Sequence, residues 1–266
     1  MSQVPNLQQP QAISVLDRLW TPSSAAEQIN PWIKALIYGD PGAGKTVFAS
    51  SAPGALFLDT ENSTEVLDDW PEYKGNLAGI IKIKSFNDLV EILSLLIRND
   101  PALEHVQTVV IDTLTELQRK NLDEILAFES ARNAERDPYQ LYQNDYKKST
   151  EMIRRVITNF RDLNRHLIIL AHRTEEKDNV GRVTIRPDVT PKLASTLKGV
   201  MGLQGFMSYE VTTNEAGQEI YRNGLYTKQT PQIEAKSRLR HLPAWVENPT
   251  FNDLLKAKQV TLEGGS

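Results

Sequence analysis

The 266-residue sequence predicts an α/β fold, in which a mostly parallel sheet is flanked by helices. Short apolar runs alternate with helical patterns from residue 32 onward. A glycine-rich turn, GDPGAGKT, follows the first apolar run directly and is itself followed by the helix-forming segment TVFASSA. Alternation of this kind builds right-handed βαβ units, whose ligands bind at the carboxyl ends of the parallel strands.

Strands are predicted at the apolar runs, and helices at the amphipathic patterns between them. The predicted strands are residues 34–38, 55–59, 80–83, 108–112 and 167–171, and the predicted helices are residues 45–51, 87–98, 114–128 and 139–164. The alternation stops after residue 171. Residues 182–186 are typical of a hairpin or an extended loop, residues 191–201 of a helix, and residues 205–212 and 219–226 of C-terminal hairpin strands.

Three parts are predicted along the chain: a flexible N-terminal arm over residues 1–30, a core over residues 31–258, and a flexible tail over residues 259–266. The arm is rich in polar residues, but it contains one compact apolar set, ISVLDRLW, over Ile13–Trp20. An apolar segment of this kind in a polar arm is expected to pack either on its own domain or, as an assembly arm, on a neighbouring subunit.

Composition excludes several classes of function. The chain has no cysteine, which rules out disulfides, cysteine metal sites and cysteine nucleophiles and favours an intracellular protein. Its apolar runs are too short to cross a bilayer, and its first residues lack the pattern of a signal peptide. We therefore expect a cytoplasmic protein. The first half of the core is acidic and the second half is mildly basic, so a polyanion would be expected to contact the second half.

GDPGAGKT matches the phosphate-binding pattern G-x-x-x-x-G-K-[ST] at every fixed position. Its glycines let successive backbone N–H groups point at phosphate oxygens, while the following helix adds its positive end. Lys45 is expected to reach the β- and γ-phosphates. The predicted nucleotide-binding residues are Gly39, Asp40, Pro41, Gly42, Ala43, Gly44, Lys45, Thr46 and Val47. We take ATP as the nucleotide, although no motif distinguishes it from GTP.

The predicted metal site combines Thr46 with Asp112. Asp112 ends the apolar strand TVVID, where a carboxylate can hold Mg²⁺ through water, and the Thr46 hydroxyl can ligate the same ion. ATP and Mg²⁺ are therefore the expected cofactors.

Hydrolysis also needs a base that activates water. In many ATPases a Glu directly follows the metal-binding Asp, but residue 113 is Thr. Glu61, in the strand sequence LFLDTEN, is placed beside the expected γ-phosphate and is the predicted base. Asp59 and Glu116 are the alternatives.

LFLDTEN after GDPGAGKT resembles the RecA family, in which the catalytic Glu lies on the strand that follows the phosphate-loop helix. IDTLTEL resembles the metal-binding strand and the next helix of that family. Over residues 32–255 the chain is similar to RecA-like nucleotide-binding proteins of phages, including the core-only, Sak-type single-strand annealing proteins; LIILAH, AKSRLRHLP and ENPTFNDLL add to this likeness. The resemblance implies a RecA-like P-loop NTPase core, and a bacterial host cytoplasm if a phage encodes it.

The resemblance also implies roles for later residues. His172 would contact the γ-phosphate, or it is a structural histidine. Lys236 and Arg238 would reach a neighbouring subunit's γ-phosphate, or they are charges on an edge strand. The predicted DNA-binding residues are Arg173, Lys177, Arg182 and Arg186; Lys147, Lys148, Arg154 and Arg155 offer a second candidate surface.

The function expected from these residues is that of a P-loop ATPase acting on single-stranded DNA in phage recombination, annealing or replication. Self-association into an oligomer or filament is expected, with single-strand DNA-binding protein or replication proteins as further partners. One alternative is a loader or accessory of a replicative helicase that remodels a protein partner. The other is a nucleotide-gated binding module that does not hydrolyse ATP.

Overall fold

The computed structural model describes residues 30–214 and 217–263. The Ile13–Trp20 segment lies outside the described residues. The strands are β1 Lys34–Gly39, β2 Ala55–Asp59, β3 Leu77–Lys82, β4 Thr108–Asp112, β5 His166–Lys177, β6 Val183–Pro187, β7 Leu203–Thr213, β8 Glu219–Tyr226, β9 Lys236–Ser237 and β10 Trp245–Glu247. The helices are α1 Lys45–Ser50, α2 Pro71–Lys74, α3 Phe86–Ile97, α4 Leu114–Arg132, α5 Gln143–Asp162, α6 Pro191–Val200 and α7 Phe251–Glu263, with 3-10 helices at Ser63–Asp69 and Pro101–Leu103.

The predicted fold class is confirmed: a mostly parallel sheet carries helices on both faces. The order of the sheet is β10-β8-β7-β1-β5-β4-β2-β3, with β6 paired to β5 and β9 paired to β7. The strands from β7 to β3 in this order run parallel, whereas β8 and β10 are antiparallel additions. One strand, β5, separates the phosphate-loop strand β1 from the Asp112 strand β4.

Two apolar clusters cover the two faces of this sheet. On one face, alternate residues of β1, β4 and β5 pack with α3, α5 and α6; on the other, the intervening residues pack with α1 and α7. Because both faces are covered, the central strands read as continuous apolar runs. In the described part of the chain, no helix is long and apolar enough to cross a membrane.

The register of the parallel strands places the functional motifs at one edge. Gly39, at the end of β1, lies opposite His172 in β5, and Asp59, at the end of β2, lies opposite Asp112 at the end of β4. We name this side the carboxyl edge of the sheet. The side where β1 and β5 begin, at Lys34 and His166, is the amino edge.

Several predicted boundaries differ from the structure. β3 begins at Leu77 rather than at residue 80, because this edge strand is only partly buried and has a weak apolar signal. α5 begins at Gln143 rather than at residue 139. Its start is fixed by the Asp145 carboxylate, which accepts the Tyr142 N–H at 2.7 Å. β5 continues past Ala171 to Lys177, since its second half pairs with β6 outside the helical layers and can be polar. α7 runs from Phe251 to Glu263, and the division of the chain into arm, core and tail stays a prediction.

Candidate functional site

The phosphate loop lies at the carboxyl edge, between β1 and α1. Gly39 packs so closely on β7 that a Cβ atom there would lie 2.2 Å from the Met207 carbonyl oxygen. Gly42 and Gly44 have φ angles of 78° and 89°, in the left-handed region that favours glycine. Gly44 has no side chain to cap α1, so the first N–H groups of the helix are left for phosphate oxygens. The fold thus gives GDPGAGKT the geometry that phosphate binding requires.

Lys45 is buried and turned back onto the loop. Its Nζ donates to the carbonyl oxygens of Gly39 at 3.1 Å and of Asp40 at 2.8 Å. Burial lowers the pKa of Lys45, and the nearby carboxylates of Asp112 and Glu61 oppose that shift. These two carbonyl contacts hold the amine in place, and phosphate oxygens are the stronger acceptors that could draw it into the cavity.

Asp112 and Thr46 meet directly. The Thr46 hydroxyl donates to Asp112 Oδ2 at 2.9 Å, and the hydroxyl of Ser63 donates to the same oxygen at 2.9 Å. Burial raises the pKa of Asp112 to about 6, although both hydroxyl hydrogen bonds lower it. A buried carboxylate that accepts two hydroxyls and forms no ion pair with a described residue suits Mg²⁺, which takes oxygen ligands from one or two side chains and completes its shell with phosphate and water. Sequence reasoning missed Ser63, because a serine in a connecting segment carries no signal of its own.

Glu61 forms a cluster with His172 and Thr113. Its Oε2 lies 3.1 Å from His172 Nε2 and accepts the Thr113 hydroxyl at 3.3 Å. The hydrogen bond from His172 is the main cause that holds the pKa of Glu61 below its usual range, against partial burial. His172 Nδ1 is buried without a hydrogen-bond partner among the described residues. Glu61 is therefore an ionised carboxylate that two hydrogen-bond partners orient. The peptide bond between Asp112 and Thr113 is cis.

The two alternative bases have other contacts. Asp59 is buried and accepts the backbone N–H groups of Glu61 at 3.2 Å and Ser63 at 3.3 Å, together with the Thr64 hydroxyl at 2.7 Å. Its carboxylate therefore shapes the turn that carries Glu61. Glu116 lies in the first turn of α4, 3.5 Å from Arg119.

A cavity of about 570 Å³ joins these groups. The cavity is lined by most of the residues that were predicted to bind the nucleotide, namely Pro41 to Val47 and His172. Glu61, Ser63 and Asp112 line it too. Trp70 and Tyr73 contribute a wall on one side of α1, and Met207, Asn223 and the segment Asn248–Thr250 contribute another. The residues of these two walls come from connections and from the late strands, where the sequence carries no recognisable motif.

Asp40 faces the hairpin of β5 and β6 instead of this cavity. Its carboxylate accepts Arg173 Nε at 2.7 Å, and Arg173 Nη1 also donates to Glu175 at 2.6 Å. Arg173 directly follows His172, so adjacent residues of β5 contact the phosphate loop and the Glu61 cluster. The hairpin is thus fastened to both parts of the site.

The predicted DNA-binding cations fall into two groups. Arg173 is ion-paired as described, and Arg186 pairs with Glu176 at 2.7 Å. Among the described residues, the side chains of Lys177 and Arg182 have no ion-pair partner. On the second candidate surface, Lys148 pairs with Glu129, while Arg154 and Arg155 pair with Glu151; Lys147 has no ion-pair partner in the described ranges.

Lys236 and Arg238 lie at the amino edge, because β9 pairs with β7 at Leu203 and Gln204. Lys236 Nζ donates to the carbonyl oxygens of Lys198 and Met201, and Arg238 Nη2 donates to that of Gly199 at 3.0 Å. Both cations therefore satisfy carbonyl groups at the end of α6, as cations at a helix C-terminus do. Their action on a neighbouring subunit stays a prediction.

Comparison with known families agrees with this geometry. A family model described as an AAA domain matches residues 32–239, which include the phosphate loop, Glu61, Asp112 and His172. No curated protein matches the chain. The match covers more than half of the chain and indicates nucleotide binding and hydrolysis. The chain therefore belongs to the AAA domain family of P-loop ATPases.

Proposed function

We propose that this chain is a RecA-like, Mg²⁺-dependent ATPase that acts on single-stranded DNA in recombination, annealing or replication. The observation that carries the catalytic half is the convergence of Lys45, the Thr46–Asp112 pair and the oriented Glu61 on one cavity. The DNA half rests on the resemblance to RecA-like phage proteins and on the position of the β5–β6 hairpin. Oligomers or filaments formed with ATP bound belong to the same proposal.

In the proposed mechanism Glu61 is the general base. Its lowered pKa keeps it ionised at neutral pH, so it can take a proton from the water that attacks the γ-phosphorus. His172 and Thr113 orient the carboxylate, and Lys45 moves from the loop carbonyls to the phosphates. Thr46 and Asp112 would hold Mg²⁺, which neutralises phosphate charge when bound.

The catalytic half is tested with Glu61→Gln, a change that keeps the size of the side chain but removes the base. We expect ATP binding to persist while kcat falls about 10²- to 10⁴-fold. Asp59→Asn and Glu116→Gln are the matched controls, and Glu116→Gln should hydrolyse ATP at nearly the wild-type rate. Retained hydrolysis in Glu61→Gln would show that another group is the base. Wild-type protein that binds ATP without turnover would favour the non-hydrolysing module.

The DNA half is tested on Lys177 and Arg182, the two hairpin cations without ion-pair partners. Phosphate contacts make affinity depend on salt, so a Lys177→Ala, Arg182→Ala double variant should reduce the slope of log affinity against log salt by about 1 per lost contact. Lys147→Ala probes the second candidate surface, and Lys228→Ala, at an exposed lysine outside both surfaces, is the control. A complete lack of DNA binding at low salt, with an ATP analogue and Mg²⁺ present, would contradict this half.

A second candidate function, remodelling of a protein partner, is favoured by one observation. The apolar stripes of α4 and α5 continue beyond the core to Phe128, Tyr142 and Tyr146, whose side chains are exposed. Charges of both signs surround them, so the patch is not strongly basic. Stimulation of ATP hydrolysis by a replication protein, but not by single-stranded DNA, would support this candidate, and Phe128→Ser should then abolish the stimulation.

A further inference from the structure

The nucleotide cavity extends beyond the groups that handle phosphate. At the start of α1 and at the strand ends, Thr46 donates to Asp112, and the charges of Asp112 and Glu61 act on Lys45. The rest of the cavity runs along α1 itself. The 3-10 helix Ser63–Asp69 packs on one side of α1 and leads into Trp70. The Phe251 N–H donates to the Ser51 hydroxyl at 2.8 Å, which places Asn248–Thr250 near the end of α1.

The first wall of this extension is aromatic and fixed. Trp70 is 40 % exposed, although it lines the cavity, and its ring lies nearly parallel to that of Tyr73, with 13° between the planes and 6.3 Å between the centroids. The Trp70 N–H donates to the Leu67 carbonyl at 3.2 Å, and Pro71 follows directly as the first residue of α2. Proline restricts the backbone of the residue before it, and the Tyr73 ring packs against the indole, so both the backbone and the ring of Trp70 have a neighbour that limits their motion.

The second wall carries an amide that has no partner. Asn248 adopts a left-handed conformation with φ of 46°, fixed by its N–H, which donates to the Asn223 carbonyl at 2.8 Å. Within residues 30–214 and 217–263, the Asn248 side chain makes no hydrogen bond, yet the residue lines the cavity. An amide offers one donor and one acceptor to a ligand on this side.

We propose that Trp70 stacks on the adenine base of ATP while the Asn248 amide binds the edge of that base, which makes the cavity selective for adenine over guanine. This inference rests on the proposed ATPase function. An aromatic face binds any base by stacking, so selectivity must come from the edge. An asparagine amide matches the N6 donor and N7 acceptor of adenine. The corresponding guanine edge has only acceptors, and its two donors, N1–H and N2–H, are best matched by a carboxylate; of the described residues that line the cavity, the carboxylates are Glu61 and Asp112, both beside Lys45.

The test measures binding of ATP, GTP and inorganic tripolyphosphate by calorimetry in the presence of Mg²⁺. Tripolyphosphate fills the phosphate end alone, so it separates the two parts of the cavity. Wild-type protein should bind ATP about tenfold or more tightly than GTP. Trp70→Ala should lose about tenfold or more in ATP affinity and none for tripolyphosphate, and Trp70→Phe should recover most of the loss. Lys45→Ala should weaken the binding of both ATP and tripolyphosphate.

Asn248→Asp tests the edge contact, since aspartate tolerates the same backbone conformation. The carboxylate accepts from guanine N1–H and N2–H, so the ratio of ATP affinity to GTP affinity should fall about tenfold or more. The matched control for Trp70→Ala is Tyr139→Ala, at an aromatic residue that is 91 % exposed and outside the cavity. It should change neither the ATP affinity nor the GTP affinity.

The outcomes separate the two levels of the proposal. If wild-type protein binds tripolyphosphate and ATP but Trp70→Ala binds ATP equally well, the base site is wrong and the proposed function stands. Equal affinity of the wild type for ATP and GTP, or an unchanged ratio in Asn248→Asp, overturns the selectivity. If no triphosphate binds, the proposed function fails and the base site fails with it.

Discussion

Two buried lysines at opposite edges of the sheet show how position decides the use of the same chemical group. Lys34 begins β1 at the amino edge, and its Nζ donates to the carbonyl oxygens of Leu163 and Arg165, after the end of α5. Lys45 follows β1 at the carboxyl edge and also donates to two carbonyls, but it belongs to the phosphate loop and lies near the carboxylates of Asp112 and Glu61. Burial lowers the pKa of both, to about 8 for Lys34.

The two edges differ in the groups that surround their cations. At the amino edge Lys34, Lys236 and Arg238 complete the hydrogen bonds of carbonyl groups near helix ends, so their positive charge is used within the chain. At the carboxyl edge Asp112 is a buried acid near Lys45, but it forms no ion pair with a described residue and accepts hydrogen bonds from two hydroxyls. The amino edge therefore contributes to stability, and the carboxyl edge is prepared for a charged ligand.

The largest expected effect separates Lys45 from Lys34 in ligand binding. Lys45→Ala should reduce ATP affinity by about 10- to 100-fold, because it removes a charged hydrogen bond to phosphate. Lys34→Ala should leave ATP affinity within about twofold of wild type, since its amine faces the other edge. Calorimetric titration of both variants measures this difference, and equal losses would break the comparison between the edges.

The second effect is on stability, where Lys34→Ala should cost more than Lys45→Ala. Lys34→Ala leaves the carbonyl oxygens of Leu163 and Arg165 without their buried donor, which should lower the free energy of unfolding by about 1–3 kcal/mol. Lys45→Ala should cost less in the absence of nucleotide, because water from the cavity that Lys45 lines can take the place of its amine. Denaturant unfolding of the two variants without ligand provides the measurement.

The third effect is a pair of opposite pH dependences. Burial lowers the pKa of His166, at the amino edge, to about 4, so between pH 6.5 and pH 4 the unfolded chain binds a proton that the native chain does not. This removes about 2 kcal/mol of stability between pH 7 and pH 5. Asp112, with its pKa raised to about 6, acts in the other direction, because between pH 6 and pH 3.8 the native chain holds the extra proton.

These dependences are separated by two variants, whose unfolding is measured from pH 7 to pH 5 without ligand. His166→Gln should flatten the loss of stability toward acid, and Asp112→Asn should make it steeper. If both variants changed the slope in the same direction, the contrast between the edges would be wrong for titration.

The smallest expected effect concerns the Asp40–Arg173 pair. Its side chains are 41 % and 29 % exposed, so Arg173→Ala should lower the free energy of unfolding by less than about 1 kcal/mol. A double-mutant cycle with Asp40→Asn measures the coupling directly. A coupling of several kcal/mol would show that the hairpin and the phosphate loop form one rigid unit.

Much of the fold and the centre of the site could be predicted from local patterns. The buried strands β1, β2 and β4 and the buried first half of β5 gave strong apolar signals, and the motif from Gly39 to Thr46 fixes its own backbone geometry. Ser63, Trp70 and Asn248 could not be predicted as site residues, because each lies in a connection whose position depends on packing against α1. Lys236 lies on β9, but the alternating pattern of charges could not show that its amine contacts the end of α6.

The sequence by itself determined the α/β class, the phosphate loop and the pairing of Asp112 with Thr46, because these depend on hydrophobic periodicity, glycine conformations and the common edge of parallel strands. Only the tertiary structure decided which side chains surround that centre. It placed His172 beside Glu61, Arg173 beside Asp40, and Trp70 and Asn248 in the lining of one cavity. Such contacts join residues far apart in the chain, and they follow from strand order and helix packing, which no local pattern specifies.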